Sequence, residues 1–395
     1  MFEKAYNYSC KWRFQFSPKK CKIVIFGKDK NLDMPVKLGN QTIAESKCET
    51  HLGIGLATNN KCELDYITSR VSCCKSIVFA TKAIGSISVP VSPMTASKLY
   101  WDVCIPKLTY GFEVMDVKDA SLEKVISFHY QAAKITQGLP EHAVNIGSVA
   151  TIGWQPIESY IDILRLLFMW RILLLPMQNI YKTFLVRRML HLVDNYTKNA
   201  LGPTKNVLDI CIKYGLHQYV LAAIETAEYC TMNEWKKMIK LIATDRYVKS
   251  WNATKHLFTS LKFLKKDPTC LSPWWKYAAH NVAKVKRCKL IIQLLLGRER
   301  HQYKLCQYCD LCTRSTIPHV LFECRHLSKL REDLWVKVEE VCPPNLIDEI
   351  NVMNNEGKTI FILNAVNTNY IPEWDEIYDS LSLFIYSMYT KYMKE

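Results

Sequence analysis

The stretch Cys306-Gln-Tyr-Cys309-Asp-Leu-Cys312, followed by His319-Val-Leu-Phe-Glu-Cys324, constrains this chain more than any other. Nowhere else do several soft ligands sit close enough to close around one ion. Structural zinc takes four thiolate or imidazole ligands tetrahedrally, and ligand pairs a few residues apart suit a tight turn and a helical turn. Cys306-x2-Cys309 supplies the turn, and His319-x4-Cys324 supplies the helical pair. Cys312 is left over, so Cys309-x2-Cys312 with the same His and Cys is a competing set. The first set is favoured, because its nine-residue loop closes with less strain than the six-residue loop of the second. The plainer alternative is a group of buried thiols in a cysteine-rich chain.

That chain has 395 residues, enough for two or three domains with cores of their own. Its 49% hydrophobic and 11% aromatic content argue for a folded protein. A net charge of +15 favours a polyanionic partner, most simply RNA or DNA. Sixteen cysteines in a chain of this length do not form a secreted disulfide framework, and Met1-Phe-Glu-Lys-Ala-Tyr carries no apolar leader. The expected setting is therefore intracellular, cytoplasmic or nuclear. The most apolar run, 160–176, is interrupted by Asp162, Arg165 and Arg171, so it reads as a buried amphipathic helix and no membrane partner is expected. The sequence is silent on oligomeric state.

The periodicity predicts a fold that is mainly α with a small N-terminal antiparallel β element (α+β), built of helical bundles plus a zinc knuckle. Within residues 1–60, Lys22-Ile-Val-Ile-Phe-Gly27 reads as a strand, 35–43 as a hairpin turning at Gly39-Asn40, and 47–56 as one more strand. These look like the tail of a larger sheet domain. Residues 61–150 switch to helical spacing, with Tyr66, Ile67, Val71, Cys74, Ile77 and Val78 in one stripe. A second helix runs from Pro93 to Gly111 with a kink at Pro106, and a third runs from Ser121 to Gly138-Leu-Pro140. His129 on its apolar face reads as a core histidine rather than a ligand. Residues 151–300 are almost entirely helical by pattern, with linkers near 195–205 and 266–273, and 301–395 hold the knuckle and an acidic helical tail.

Between Lys255 and Lys304 the charge is one-sided, opposed only by Asp267 and Glu299. His280, Lys284 and Arg287 share a helical face, and Trp274, Trp275 and Tyr277 lie just upstream, where aromatic rings beside a basic groove can stack on unpaired bases. The alternative is a solvated basic face with the tryptophans packed in the core.

Several landmarks resemble the reverse transcriptases of non-LTR (LINE-like) retrotransposons. Trp12, then Phe16-Ser-Pro-Lys-Lys-Cys-Lys-Ile-Val-Ile-Phe-Gly27, then His51-Leu-Gly-Ile-Gly55 are similar to the part just after the family's catalytic Tyr/Phe-x-Asp-Asp turn. The resemblance gives Lys20 a place near the incoming nucleotide, although Ser17 and Cys21 depart from the family's Asn-x-x-Lys-Ser/Thr. It makes Leu52 and Gly53 the tip of a primer-gripping hairpin, with His51 in place of the usual tyrosine. Pro106-Lys-Leu-Thr-Tyr-Gly111 and Gly138-Leu-Pro140 resemble thumb landmarks. Trp274-Trp275, Ile292-Gln-Leu-Leu-Leu-Gly297-Arg298, the Cys/His cluster and Arg331-Glu-Asp-Leu-Trp335 resemble the zinc-binding region that closes many of these proteins.

The resemblance thus covers nearly the whole chain. It implies the end of a palm over 1–60, a thumb over 61–150, a helical linker over 151–300 and a zinc knuckle over 301–395. The expected nucleic-acid contacts are Lys20, Leu52, Gly53, Lys284, Arg287 and Arg298, and the expected metal is structural zinc on Cys306, Cys309, His319 and Cys324. Catalysis in this family needs two magnesium ions held on aspartates. The chain has no Asp-Asp dipeptide, so magnesium enters only with a palm that it lacks, and no polymerase activity is expected. A reading from another class is an independent helical scaffold that binds protein. A zinc-finger regulator has little support, since one knuckle offers no reading helix at finger spacing.

Overall fold

A computed structural model describes residues 2–17, 20–26, 35–84, 91–194, 202–264, 267–279, 281–296, 305–309, 316–364 and 374–394. The fold is mainly helical, and among the described residues the few short strands all lie at the N-terminal end. Arg298, Cys312, His280 and most of the 195–205 linker lie outside the described residues.

The strands form two-stranded pairings rather than one sheet. Lys37–Leu38 pairs antiparallel with Gln41–Thr42 around Gly39-Asn40, as the turn residues predict. Lys22–Ile23 is shorter than the apolar run suggests and pairs parallel with Ala44–Glu45. The segment read as a single strand over 47–56 is instead a hairpin, in which Cys48–His51 pairs antiparallel with Ile54–Ala57. Leu52 and Gly53 make its two-residue turn with φ of 51° and 78°. Positive φ at both positions gives the tight turn that matches strand twist, and glycine at the second supplies it without strain.

Helix Asn60–Ile84 packs on Asp119–Gln137, burying Ile67, Val71, Cys74, Val125 and Phe128 in one core. Between them the predicted second helix is divided. Pro93–Leu99 passes into a wider π-turn over Tyr100–Cys104 before Ile105–Thr109. The N–H of Ile105 reaches back five residues to the Tyr100 carbonyl. That slip gives the ring of Pro106 room inside a helical path, so the irregularity expected at the proline is a π-turn just before it. Gly138 then ends Asp119–Gln137 in the left-handed conformation at φ 63°.

His129 lies in this core, as its apolar neighbours predict. One ring nitrogen meets the Tyr100 hydroxyl at 2.9 Å and the other the Gln155 carbonyl at 3.1 Å. Tyr100 in turn stacks on Trp154 with ring centroids 4.2 Å apart.

Helix Ile157–Leu173 joins two cores, with Ile157 and Ile161 in the first and Leu166, Met169 and Trp170 in the second. It holds the apolar run expected to form a buried helix; two of the interrupting charges, Asp162 and Arg165, are satisfied, and Arg171 is exposed. Asp162 accepts from Lys213 at 2.6 Å and Tyr214 at 3.1 Å, while Arg165 donates to the carbonyls of Phe112 and Met115. Trp170 and Trp235 stack at 4.1 Å in the centre of the second core. Truncating either ring would cost about 3–5 kcal/mol. Among the described residues no single helix is long and apolar enough to cross a membrane.

A third core gathers residues from 251 to 392 and draws in Leu139, Ala143 and Ala150 from the first bundle. Its centre is helix Val282–Leu295 packed on the closing helix Asp375–Lys394. Tyr378, Leu381 and Phe384 of that closing helix are fully buried.

Candidate metal centre and nucleic-acid contacts

The ligand side chains come from two short irregular pieces of the third core. Cys306 and Cys309 lie in a turn after Leu305, and His319 opens a π-turn over His319–Glu323 that ends at Cys324. In an ordinary α-helix, residues five apart are about 140° out of register. The wider turn corrects this, because the Cys324 N–H bonds the His319 carbonyl at 2.7 Å and brings the two side chains to one side.

All four ligand atoms lie within 4.8 Å of one another. Cys306 Sγ and Cys324 Sγ are 3.9 Å apart, and Cys309 Sγ is 3.5 Å from His319 Nε2. A tetrahedral ion with metal–sulfur bonds of about 2.3 Å and metal–nitrogen bonds of about 2.0–2.1 Å spaces its ligands by roughly 3.8 and 3.6 Å. The cluster therefore has the dimensions to hold a metal ion, and the favoured set assembles with Cys306.

The surrounding groups suit thiolates. The amides of Tyr308 and His326, each two residues beyond a cysteine, donate to Cys306 and Cys324. Burial pushes the Cys306 thiol up. The Tyr308 amide, His319 and the Tyr392 hydroxyl outweigh it and hold that thiol down to about 6. Cys324 is pushed up to about 11 by burial and by the neighbouring Cys306 charge. A bound cation would supply the counter-charge that such a thiol needs to ionise.

Beyond the ligands, Glu323 Oε2 stands 3.6 Å from His319 Nδ1, leaving Nε2 toward the sulfurs. Asn355 donates to the other Glu323 oxygen at 3.1 Å. Arg331 donates to the Phe322 and Cys324 carbonyls, placing a guanidinium beside the cluster. Glu323, four residues from His319, was visible in the sequence as a helical neighbour. Arg331 opens the Arg331–Trp335 stretch already noted in the sequence, whereas Tyr392 and Asn355 come from more distant helices and leave no local signal.

Of the expected nucleic-acid residues, Arg298 lies outside the described residues, and the other five fall on two separate parts of the fold, the N-terminal strand region and helix Val282–Leu295. Lys20 is exposed in a turn after Ser17. Leu52 is 79% exposed at the hairpin tip. Residues from the first bundle fix that tip. Tyr66 and Arg70 donate to the Gly53 carbonyl at 2.7 and 2.5 Å, and Tyr110 donates to the Leu52 carbonyl at 3.3 Å. Arg70 also reaches the carbonyls of Leu108 and Tyr110.

Lys284 and Arg287 turn inward to the acidic tail, 3.7 Å from Asp375 and 2.7 Å from Asp379 respectively. The aromatic rings upstream cannot stack on bases. Trp274 and Trp275 are fully buried and donate to the Leu363 carbonyl and to Gln137, and Tyr277 bonds Asp379. The core reading of those tryptophans is the one the packing supports. Comparison of the chain with family models, curated proteins and solved structures finds no match.

Proposed function

We propose that this chain is the C-terminal portion of a non-LTR retrotransposon reverse transcriptase, comprising the end of a palm, a thumb, a helical linker and a zinc knuckle. Its activity is binding of RNA or DNA without sequence preference, and zinc is its structural ion. The observation that carries the reading is the Leu52–Gly53 turn, exposed at its tip and tied by Arg70 to the helical bundle behind it. A primer-gripping hairpin needs that combination of reach and rigid support. Three thiolates and one imidazole favour zinc among the common divalent ions. Short strand pairs with exposed Trp12 and Phe26 suit the rim of a larger sheet. The sequence carries no Asp-Asp dipeptide of the kind that holds the two magnesium ions in this family, so the reading assigns the chain binding rather than polymerisation.

The test is binding of a labelled single-stranded RNA across a salt series. The reading expects affinity that falls linearly on a log–log plot, by about 0.7 in slope for each phosphate contacted. Absence of binding at low salt with the fold intact would favour the second reading, a helical scaffold for protein partners. That reading draws on Lys284 and Arg287, whose charges are already answered by Asp375 and Asp379.

A further inference from the structure

Outside the candidate metal centre, a groove of about 570 Å³ is lined by helices Asn60–Ile84 and Asp119–Gln137 and by Lys289 of helix Val282–Leu295. Its charge is one-sided. Lys75, Lys124, Lys134 and Lys289 line it, and among the described residues Glu141 is the only acidic one in its walls. Among the described residues, Lys75 and Lys124 make no ion pair. Lys134 bonds the backbone carbonyl of Glu141 rather than a carboxylate. Phe79, one helical turn beyond Lys75, lines the same groove and is 47% exposed.

We propose that this groove takes a single-stranded segment of nucleic acid, with Lys75, Lys124 and Lys134 meeting its phosphates and Phe79 stacked on an unpaired base. The inference rests on the nucleic-acid reading above and moves it onto lysines outside the basic run of 255–304. Cavities of roughly 300–1,000 Å³ suit one ligand-sized group, so the groove holds a nucleotide or two and leaves the rest of the strand outside. A duplex offers phosphates but no free base face, so it gives Phe79 nothing to stack on. A strand gives it one, and stacking of this kind tolerates any sequence.

The experiment measures anisotropy of fluorescein-labelled oligo(dT) of about 12 nucleotides, and of a duplex of equal length, with the full chain. In Lys75→Gln/Lys124→Gln, affinity for oligo(dT) should fall about tenfold and the salt slope by about 1.4. Lys236→Gln/Lys237→Gln, an equal charge change on the exposed face of another helix, should bind as the parent does. Phe79→Ala should weaken oligo(dT) about fivefold or more and leave the duplex unchanged. If the Lys75/Lys124 variant binds like the parent, the groove is the wrong place, while the proposed function stands. A parent chain that binds neither probe removes both. A preference for duplex with Phe79→Ala silent overturns the single-strand assignment.

Discussion

Arg287 donates to the Asp379 carboxylate across 2.7 Å, and the Tyr277 hydroxyl donates to the same carboxylate at 2.5 Å. Two stretches that read as opposites in the sequence, a basic run and an acidic tail, therefore meet as one packed pair of helices. Burial works against ionisation of Asp379, but the hydrogen bonds from Tyr277 and Arg287 outweigh it and hold the carboxyl below its ordinary value. A depressed carboxylate contributes stability above its unfolded pKa and loses it as pH falls through its folded one. Asp379→Asn should thus lower the unfolding free energy at pH 7 by about 1 kcal/mol, a modest figure because the carboxylate is half exposed. Denaturant titrations of parent and variant should converge toward pH 2. A gap of equal size at both pH values would mean that the ion pair is not its cause.

The metal centre makes a stoichiometric prediction. Purified under reducing conditions, the chain should carry about one zinc per molecule, read by elemental analysis. His319→Ser and Cys324→Ser should each release it, because three remaining ligands in a structural site hold zinc weakly. Cys312→Ser should keep the metal and Cys306→Ser should lose it. Because Cys324 lies in the same core as Ile317 and Leu327, chelation should also lower the melting temperature, by at least about 5 °C. Full zinc content in both the His319 and the Cys324 variants would remove the assignment.

His129 gives a second pH dependence, of opposite chemistry. Full burial lowers its pKa to about 4, despite the Gln155 carbonyl, so the folded protein keeps the ring neutral. The unfolded chain protonates near pH 6.5. Stability from this group is complete above that value and is lost as pH falls from about 6.5 to about 4, amounting to roughly 3 kcal/mol. His129→Gln should flatten the stability curve across this window while lowering stability at neutral pH through lost packing. A parent curve that is already flat between these values would show that the ring is protonated in the folded state.

The helical bundles were legible because their stripes recur over long segments, as with Ile67, Val71, Cys74 and Val78. The Cys306, Cys309, His319 and Cys324 cluster was legible because its spacing is local. What escaped is contact between segments distant in sequence. Asp379 lies 92 residues from Arg287, so a charge count over 255–304 could not see that Lys284 and Arg287 are already answered. Trp274 looked available for stacking until Leu363, 89 residues on, took its indole N–H. The hairpin over 48–57 was missed from residue pattern alone because a leucine at the first turn position hides the usual Asn-Gly signal.

That leucine supports the last prediction. Leu52 holds φ at 51° and projects its apolar side chain into solvent, two costs that a stability-selected turn avoids. Left-handed backbone costs a residue such as leucine about 1–2 kcal/mol, whereas asparagine tolerates it by bonding locally. Local strain of this kind persists where surrounding contacts enforce it, and here Tyr66, Arg70 and Tyr110 hold both turn carbonyls. Leu52→Asn should therefore raise stability by about 0.5–1 kcal/mol in denaturant unfolding. If the tip contacts a primer strand, the same variant should weaken binding to a primer–template duplex while leaving oligo(dT) affinity intact. Arg70→Ala should do the reverse for the fold, costing about 2 kcal/mol and speeding amide exchange over 50–56, since the Leu108 and Tyr110 carbonyls lose their side-chain donor and Gly53 keeps only Tyr66. A more stable Leu52→Asn chain with unchanged duplex binding would leave the strained leucine without a role at the primer. The hairpin would then be a structural brace for the bundle and nothing more.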